Sequence, residues 1–137
     1  MTSVDRLLRD APLSTHVLER VTAPPGGARS HLSDGRTVVW LPKATPFRAQ
    51  IAVDAETTGQ PMPSAMARRY PVDTTSTFWQ CWTEVEVVCK LTNRPVLLWP
   101  AEYGLDARRG PARACTVITE IRDDLVITWG VRANRDS

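Results

Sequence analysis

Lysine is nearly missing from this chain. Lys43 and Lys90 are the only two among 17 basic residues, so fifteen are arginine. Two explanations fit. A GC-rich genome favours arginine and alanine codons. Alternatively, arginine is selected for bidentate contacts with phosphate or carboxylate. Acids interleave with the arginines almost everywhere and the formal net charge is only +2, so chain order holds no long single-sign patch.

Other scarcities narrow the chemistry. There are two histidines, His16 and His31, and three cysteines, Cys81, Cys89 and Cys115. No C-x-x-C and no histidine pair at ligand spacing occurs, so no metal site is expected. His16 and Glu19 are three apart, which matters on a helix, but the segment reads as a strand. An odd number of dispersed cysteines reads as reduced thiols and an expected cytoplasmic location. "PPGGAR" has adjacent glycines, yet neither phosphate-cradling glycine pattern appears, so no cofactor is expected. No apolar run approaches the ~18 residues of a membrane span. The start, "MTSVDRLLRDAPLS", carries acids and lacks the apolar core of a signal peptide. No repeat or low-complexity tail is present. The length of 137 residues predicts a single globular domain, 1–137.

What is present reads largely as β. A short helix is expected at the start, capped by Thr2 or Ser3, with Asp5 in its first turn, Val4, Leu7 and Leu8 on one stripe, and Pro12 as its stop. "STHVLERVTA" predicts a strand, "PPGGARSHLSDG" a loop with an Asp34-Gly35 turn. "RTVVWLP" and "FRAQIAVD" predict a hairpin from about Arg36 to Asp54. Residues 55–77 read as irregular, with a helical turn or two in "PSAMARRY". "FWQCWTEVEVVCKLTN" fits both periods. The alternation Trp79, Cys81, Thr83, Val85, Val87, Cys89, Leu91 is longer and favours a strand. "NRPVLLWP" predicts a buried strand. "CTVITEIRDDLVITWGVR" predicts a closing hairpin that turns at Arg122, Asp123 and Asp124, with Leu125, Ile127, Trp129 and Val131 on one apolar face. The expected fold class is mainly β, or α+β: an antiparallel sheet or small barrel of about six or seven strands with a short N-terminal helix.

The candidate chemistry is sparse. A cysteine nucleophile needs a nearby base and an electropositive setting. Cys81 and Cys89 read as buried, and Cys115, nearest a basic loop, is the best of three weak candidates. Glu84 and Glu86 would share one strand face and could act as a carboxylate pair, or be its solvated side. The remaining signal is arginine beside aromatics. Arg68, Arg69 and Tyr70 fall in segment 60–73, and Tyr103, Arg108, Arg109 and Arg113 in segment 100–113. Guanidinium pairs with phosphate and aromatic rings stack on bases. Trp82 stands among polar neighbours and could anchor a partner. The expected function is therefore a small non-enzymatic binding protein for nucleic acid. One alternative is a protein-interaction, accessory or inhibitor module of the kind a plasmid or phage carries. Another is a small-molecule binder or enzyme with a barrel interior as its pocket.

Overall fold

The computed structural model describes residues 2–19, 26–44, 49–70 and 75–133. Its elements are helix α1 (Ser3–Asp10), a 3-10 turn (Ala11–Ser14), strands β1 (Thr15–Leu18), β2 (Ala28–His31), β3 (Thr37–Trp40) and β4 (Ala49–Thr57), helices α2 (Ser64–Arg69), α3 (Thr75–Thr92) and α4 (Trp99–Tyr103), a 3-10 turn (Gly110–Ala114), and strands β5 (Cys115–Arg122) and β6 (Leu125–Ala133). Two three-stranded antiparallel sheets result, ordered β1-β3-β2 and β4-β6-β5. The fold is α+β, and among the described residues no sheet closes into a barrel. No helix is long and apolar enough to cross a membrane among the described residues.

α1 forms as its sequence predicts. Thr2 caps it and Asp5 returns the bond to the Thr2 backbone, closing a capping box. Leu7 and Leu8 are its buried residues.

The second sheet is the centre of the molecule. Leu125 to Val131 are all buried, so β6 is covered on both faces. Ile127, Trp129 and Val131 pack with Val53 and Ala55 against Val38, Trp40, Leu7 and Leu8. The other face meets α3. Thr128 bonds Thr83 Oγ1 at 2.9 Å and Thr119 Oγ1 at 2.7 Å. Gly130 lets the helix close in, because a Cβ there would stand 2.3 Å from Val87 Cγ1. The β5–β6 hairpin turns at Asp123 and Asp124, with Asp123 left-handed at φ 54°. Arg36 holds Asp124 through both guanidinium nitrogens, at 3.1 and 2.7 Å.

Four expectations are corrected. Residues 78–91 are helical, not a strand. α3 is apolar nearly all round: Val87 and Leu91 face Ala52 and Val117 of the sheet, while Val85, Val88 and Cys89 pack under Trp99 and Ala112. Both periods therefore match its sequence. Arg94 N bonds Cys89 O and Asn93 is left-handed at φ 54°, a helix-ending motif. The 36–54 hairpin does not form. β3 pairs with β1 and with β2 through the Asp34-Gly35 turn, and β4 pairs with β6. The stretch before that turn, expected as loop, supplies β2. "NRPVLLWP" is a turn leading into α4, with Leu97 and Leu98 exposed.

Trp129 is fully buried and its Nε1 donates to Thr15 Oγ1 at 2.8 Å. Trp129→Ala therefore removes an aromatic from the main core and leaves a buried hydroxyl without that donor. We expect a loss of about 3–5 kcal/mol in guanidinium-induced unfolding. An unchanged midpoint would refute the core assignment.

Candidate functional site

Two regions carry groups with chemical potential. The first contains the residues singled out by sequence. Met62 and Met66, from the segment that holds Arg68, Arg69 and Tyr70, pack on Phe78, Trp79 and Val126. Leu105, from the segment that holds Arg108, Arg109 and Arg113, packs on the same cluster, as does Trp82. Thus α3 brings both segments to one aromatic patch. Residues 71–73 of the first segment lie outside the described residues.

The individual side chains differ. Arg68, Arg69, Arg108, Arg109 and Arg113 are exposed. The Arg69 guanidinium lies 5.7 Å from the Tyr70 ring centroid. Trp82 is half-buried and stacks on Phe78 at 6.0 Å, so it is not a free-standing anchor. Tyr103 is half-buried against Trp99 at 4.6 Å, and Gly110 passes so closely that a Cβ there would lie 2.6 Å from the tyrosine ring. Tyr103 therefore has a packing role. Trp99 Nε1 bonds Asp106 O, and Asp106 Oδ1 caps the backbone of Arg108, which fixes the loop that presents the arginines.

The second region was not foreseen. β4 runs to Thr57, three residues past its expected end, so Asp54 and Glu56 share its α3-facing side. Glu86 and Lys90 lie one turn apart on α3. One oxygen from each of Asp54, Glu56 and Glu86 lies within 4.8 Å of the others. Asp54 is 3% exposed. Its Oδ1 accepts from Ser30 Oγ at 3.1 Å and from Lys90 Nζ at 3.3 Å. Its Oδ2 has no hydrogen-bond donor. Lys90 also donates to Val53 O at 2.9 Å. Glu56 accepts from Gln60 Nε2 at 2.7 Å, and Gln60 O accepts from Trp79 Nε1 at 2.9 Å.

Burial, then the Glu86 charge, holds the Asp54 carboxyl well above the usual carboxylate range, and Lys90 only partly opposes them. One oxygen of Glu86 lies within 4.8 Å of Asp54, which accounts for that charge effect. Burial also raises Glu56. Glu84 does not pair with Glu86: two helical residues apart, they point about 200° from each other. Burial raises Glu84, and Arg108 pulls it back.

The other sequence candidates are quieter. Burial pushes all three thiols up, Cys89 to about 11, so thiolate is scarce at neutral pH. His31 Nδ1 meets Thr37 Oγ1 at 3.1 Å. Among the described residues no barrel interior forms: Trp40, Ile127 and Trp129 fill the space against the second sheet.

No family model matches the chain, and no curated protein or solved structure matches it.

The raised carboxyls set a pH dependence. A carboxyl raised in the folded state adds stability below its unfolded pKa, about 4, and that stability is lost as pH rises through the folded value. Asp54, Glu56 and Glu84 act in this direction. The exposed, hydrogen-bonded Asp5, Asp34 and Asp124 are lowered and act oppositely, losing stability only as pH falls below about 4. In chelator, we expect wild-type stability to fall as pH rises above about 4 and through the raised carboxyl values. Asp54→Asn should reduce that fall. Parallel pH profiles for the two proteins would show that Asp54 does not carry it.

Proposed function

We propose that the chain is a non-enzymatic binding protein for single-stranded nucleic acid, held on the surface around the first half of α3. The observation that carries this reading is the convergence of two arginine-bearing segments on one aromatic patch, through Met62 and Met66 from one side and Leu105 from the other. Among the described residues, Arg68, Arg69, Arg108, Arg109 and Arg113 make no ion pair with a carboxylate. Exposed guanidinium groups beside the half-buried rings of Tyr70 and Trp82, the latter resting on the buried Phe78 and Trp79, suit a backbone-tracking surface with places for bases to stack. The single strand is preferred to duplex because stacking needs unpaired bases.

A second reading, a protein-interaction or accessory module, is favoured by one separate feature. Leu97 and Leu98 are adjacent and 79% and 63% exposed, an apolar pair on a turn where burial was expected.

Fluorescence anisotropy with a labelled oligothymidine at two salt concentrations tests the first reading. Micromolar binding should weaken steeply with salt, with a log–log slope of about −0.7 per phosphate contact. Arg108→Gln with Arg109→Gln should lower affinity and flatten the slope, and Arg68→Gln with Arg69→Gln should do the same. Absence of binding at low salt would eliminate this reading. Binding that survives both pairs of changes would remove the assigned surface.

A further inference from the structure

The Asp54, Glu56 and Glu86 carboxylates stand where sequence offered no ligand motif. We propose that they form a binding site for a hard divalent cation of the Mg2+, Mn2+ or Ca2+ class, with Lys90 serving as its stand-in when the cation is absent.

Three acidic side chains converge on a spot that they reach from two elements. Asp54 and Glu56 come from β4 and Glu86 comes from α3, with one oxygen of each within 4.8 Å of the others. That spacing lets three oxygens ligate one ion at the ~2.0–2.6 Å bond lengths of these cations. The donor set contains oxygen only, with no thiolate or imidazole, which selects hard ions over zinc or copper.

A cluster of acids can also be a solvated face, but Asp54 does not fit that account. It is buried, its Oδ1 is fixed by Ser30 and Lys90, and its Oδ2 is left without a donor. A buried carboxylate oxygen without a partner is costly. A proton, an ordered water or a cation can satisfy it, and of these only a cation also draws the Glu56 and Glu86 oxygens to the same point.

The surroundings also suit an exchangeable ion. Glu56 and Glu86 are half-buried. A hollow of about 420 Å³ lined by Glu86, Lys90, Asn93 and Arg94 reaches the cluster at Glu86 alone. A second, of about 630 Å³, reaches Lys90 from the Val53 side. The Lys90 side chain is 42% exposed, so its ammonium can leave Asp54 for water without crossing the core. Gln60 orients Glu56 from behind, as outer partners orient metal ligands.

The test uses the full-length chain after chelator treatment. Mn2+ is titrated and followed by its electron paramagnetic resonance signal. Mg2+ and Ca2+ follow by calorimetry, and thermal melts accompany each ion. We expect one saturable site per chain and a melting temperature that rises with ion concentration. Glu86→Gln and Glu56→Gln keep side-chain shape and should weaken the ion by roughly tenfold or more. Lys90→Gln removes a competing cation and should tighten it. Failure of Mn2+, Mg2+ and Ca2+ to saturate a site at millimolar concentration overturns the proposal and leaves a proton or a water to satisfy Asp54. Affinity unchanged in both glutamine variants, or lowered by Lys90→Gln, overturns it as well. Nucleic-acid binding is read separately, so either proposal can fail without the other.

Discussion

The molecule depends on the double burial of β6. From Leu125 to Val131 the strand exposes neither face. A strand in that position must be covered by something on each side. Sheet β1-β3-β2 with α1 covers the odd-numbered residues, and α3 covers the even-numbered ones. The even face is kept thin and partly polar. Val126 meets Phe78 and Trp79, Thr128 meets Thr83, and Gly130 meets Val87. The glycine and the threonine pair allow the helix to lie close along the sheet. This threonine contact also fixes helix register, since Thr83 bonds the Trp79 carbonyl and Thr128, and Thr128 bonds Thr119, in a place where water is excluded.

Once α3 is fixed on β6, the position of the carboxylates follows. β4 borders β6, so the side of α3 that overhangs β4 carries Trp79, Glu86 and Lys90. The even-numbered residues of β4 rise towards that side. Ala52 joins Val87 and Leu91 in an apolar contact, whereas Asp54 and Glu56 meet Lys90, Glu86 and Gln60. β2 lies against β4 and lends Ser30, which donates to Asp54 and accepts from Ala55 N. The packing that stabilises the sheet thus forces an acid into a place where it cannot hydrate. The chain retains the acid, although a threonine or alanine would fill the space without the cost of desolvation.

The parts of this arrangement legible in the sequence are those set by local chemistry. The cap and stripe of α1, the closing hairpin, and the apolar face that ends at Val131 each depend on residues adjacent in the chain. α3 was harder to read. Its second apolar arc faces the 93–114 segment rather than the sheet, and a helix buried on two sides loses the polar half that distinguishes 3.6 from 2. The decisive signal lay at its end: "TNRP" supplies a left-handed asparagine and then a proline, which stops a helix and has no role in a strand. The carboxylate cluster was hidden for a different reason. It needs β4 to continue through Glu56 and a helix to cross above it, and both are tertiary facts. The aromatic patch was half visible: its arginines stand out in composition, but only the fold shows that segments some forty residues apart share one floor.

The two regions sit on the same helix with opposite sign, and distance decides how far they interfere. Trp79 and Glu86 are seven residues apart, about 10 Å along a helix. The Debye length is about 8 Å at physiological ionic strength, so an ionised cluster would act on a phosphate chain near Trp79 only weakly at that salt and more strongly below it. Burial weakens the conflict further, because it favours whatever neutralises Asp54: a proton, the Lys90 ammonium or a cation. An acidic pocket neutralised in this way is compatible with the phosphate-binding surface proposed beside it. Gln60 joins the two directly, taking the indole hydrogen of Trp79 on its carbonyl and giving its amide to Glu56. The same residue that shapes the acidic site therefore also positions a ring of the aromatic patch.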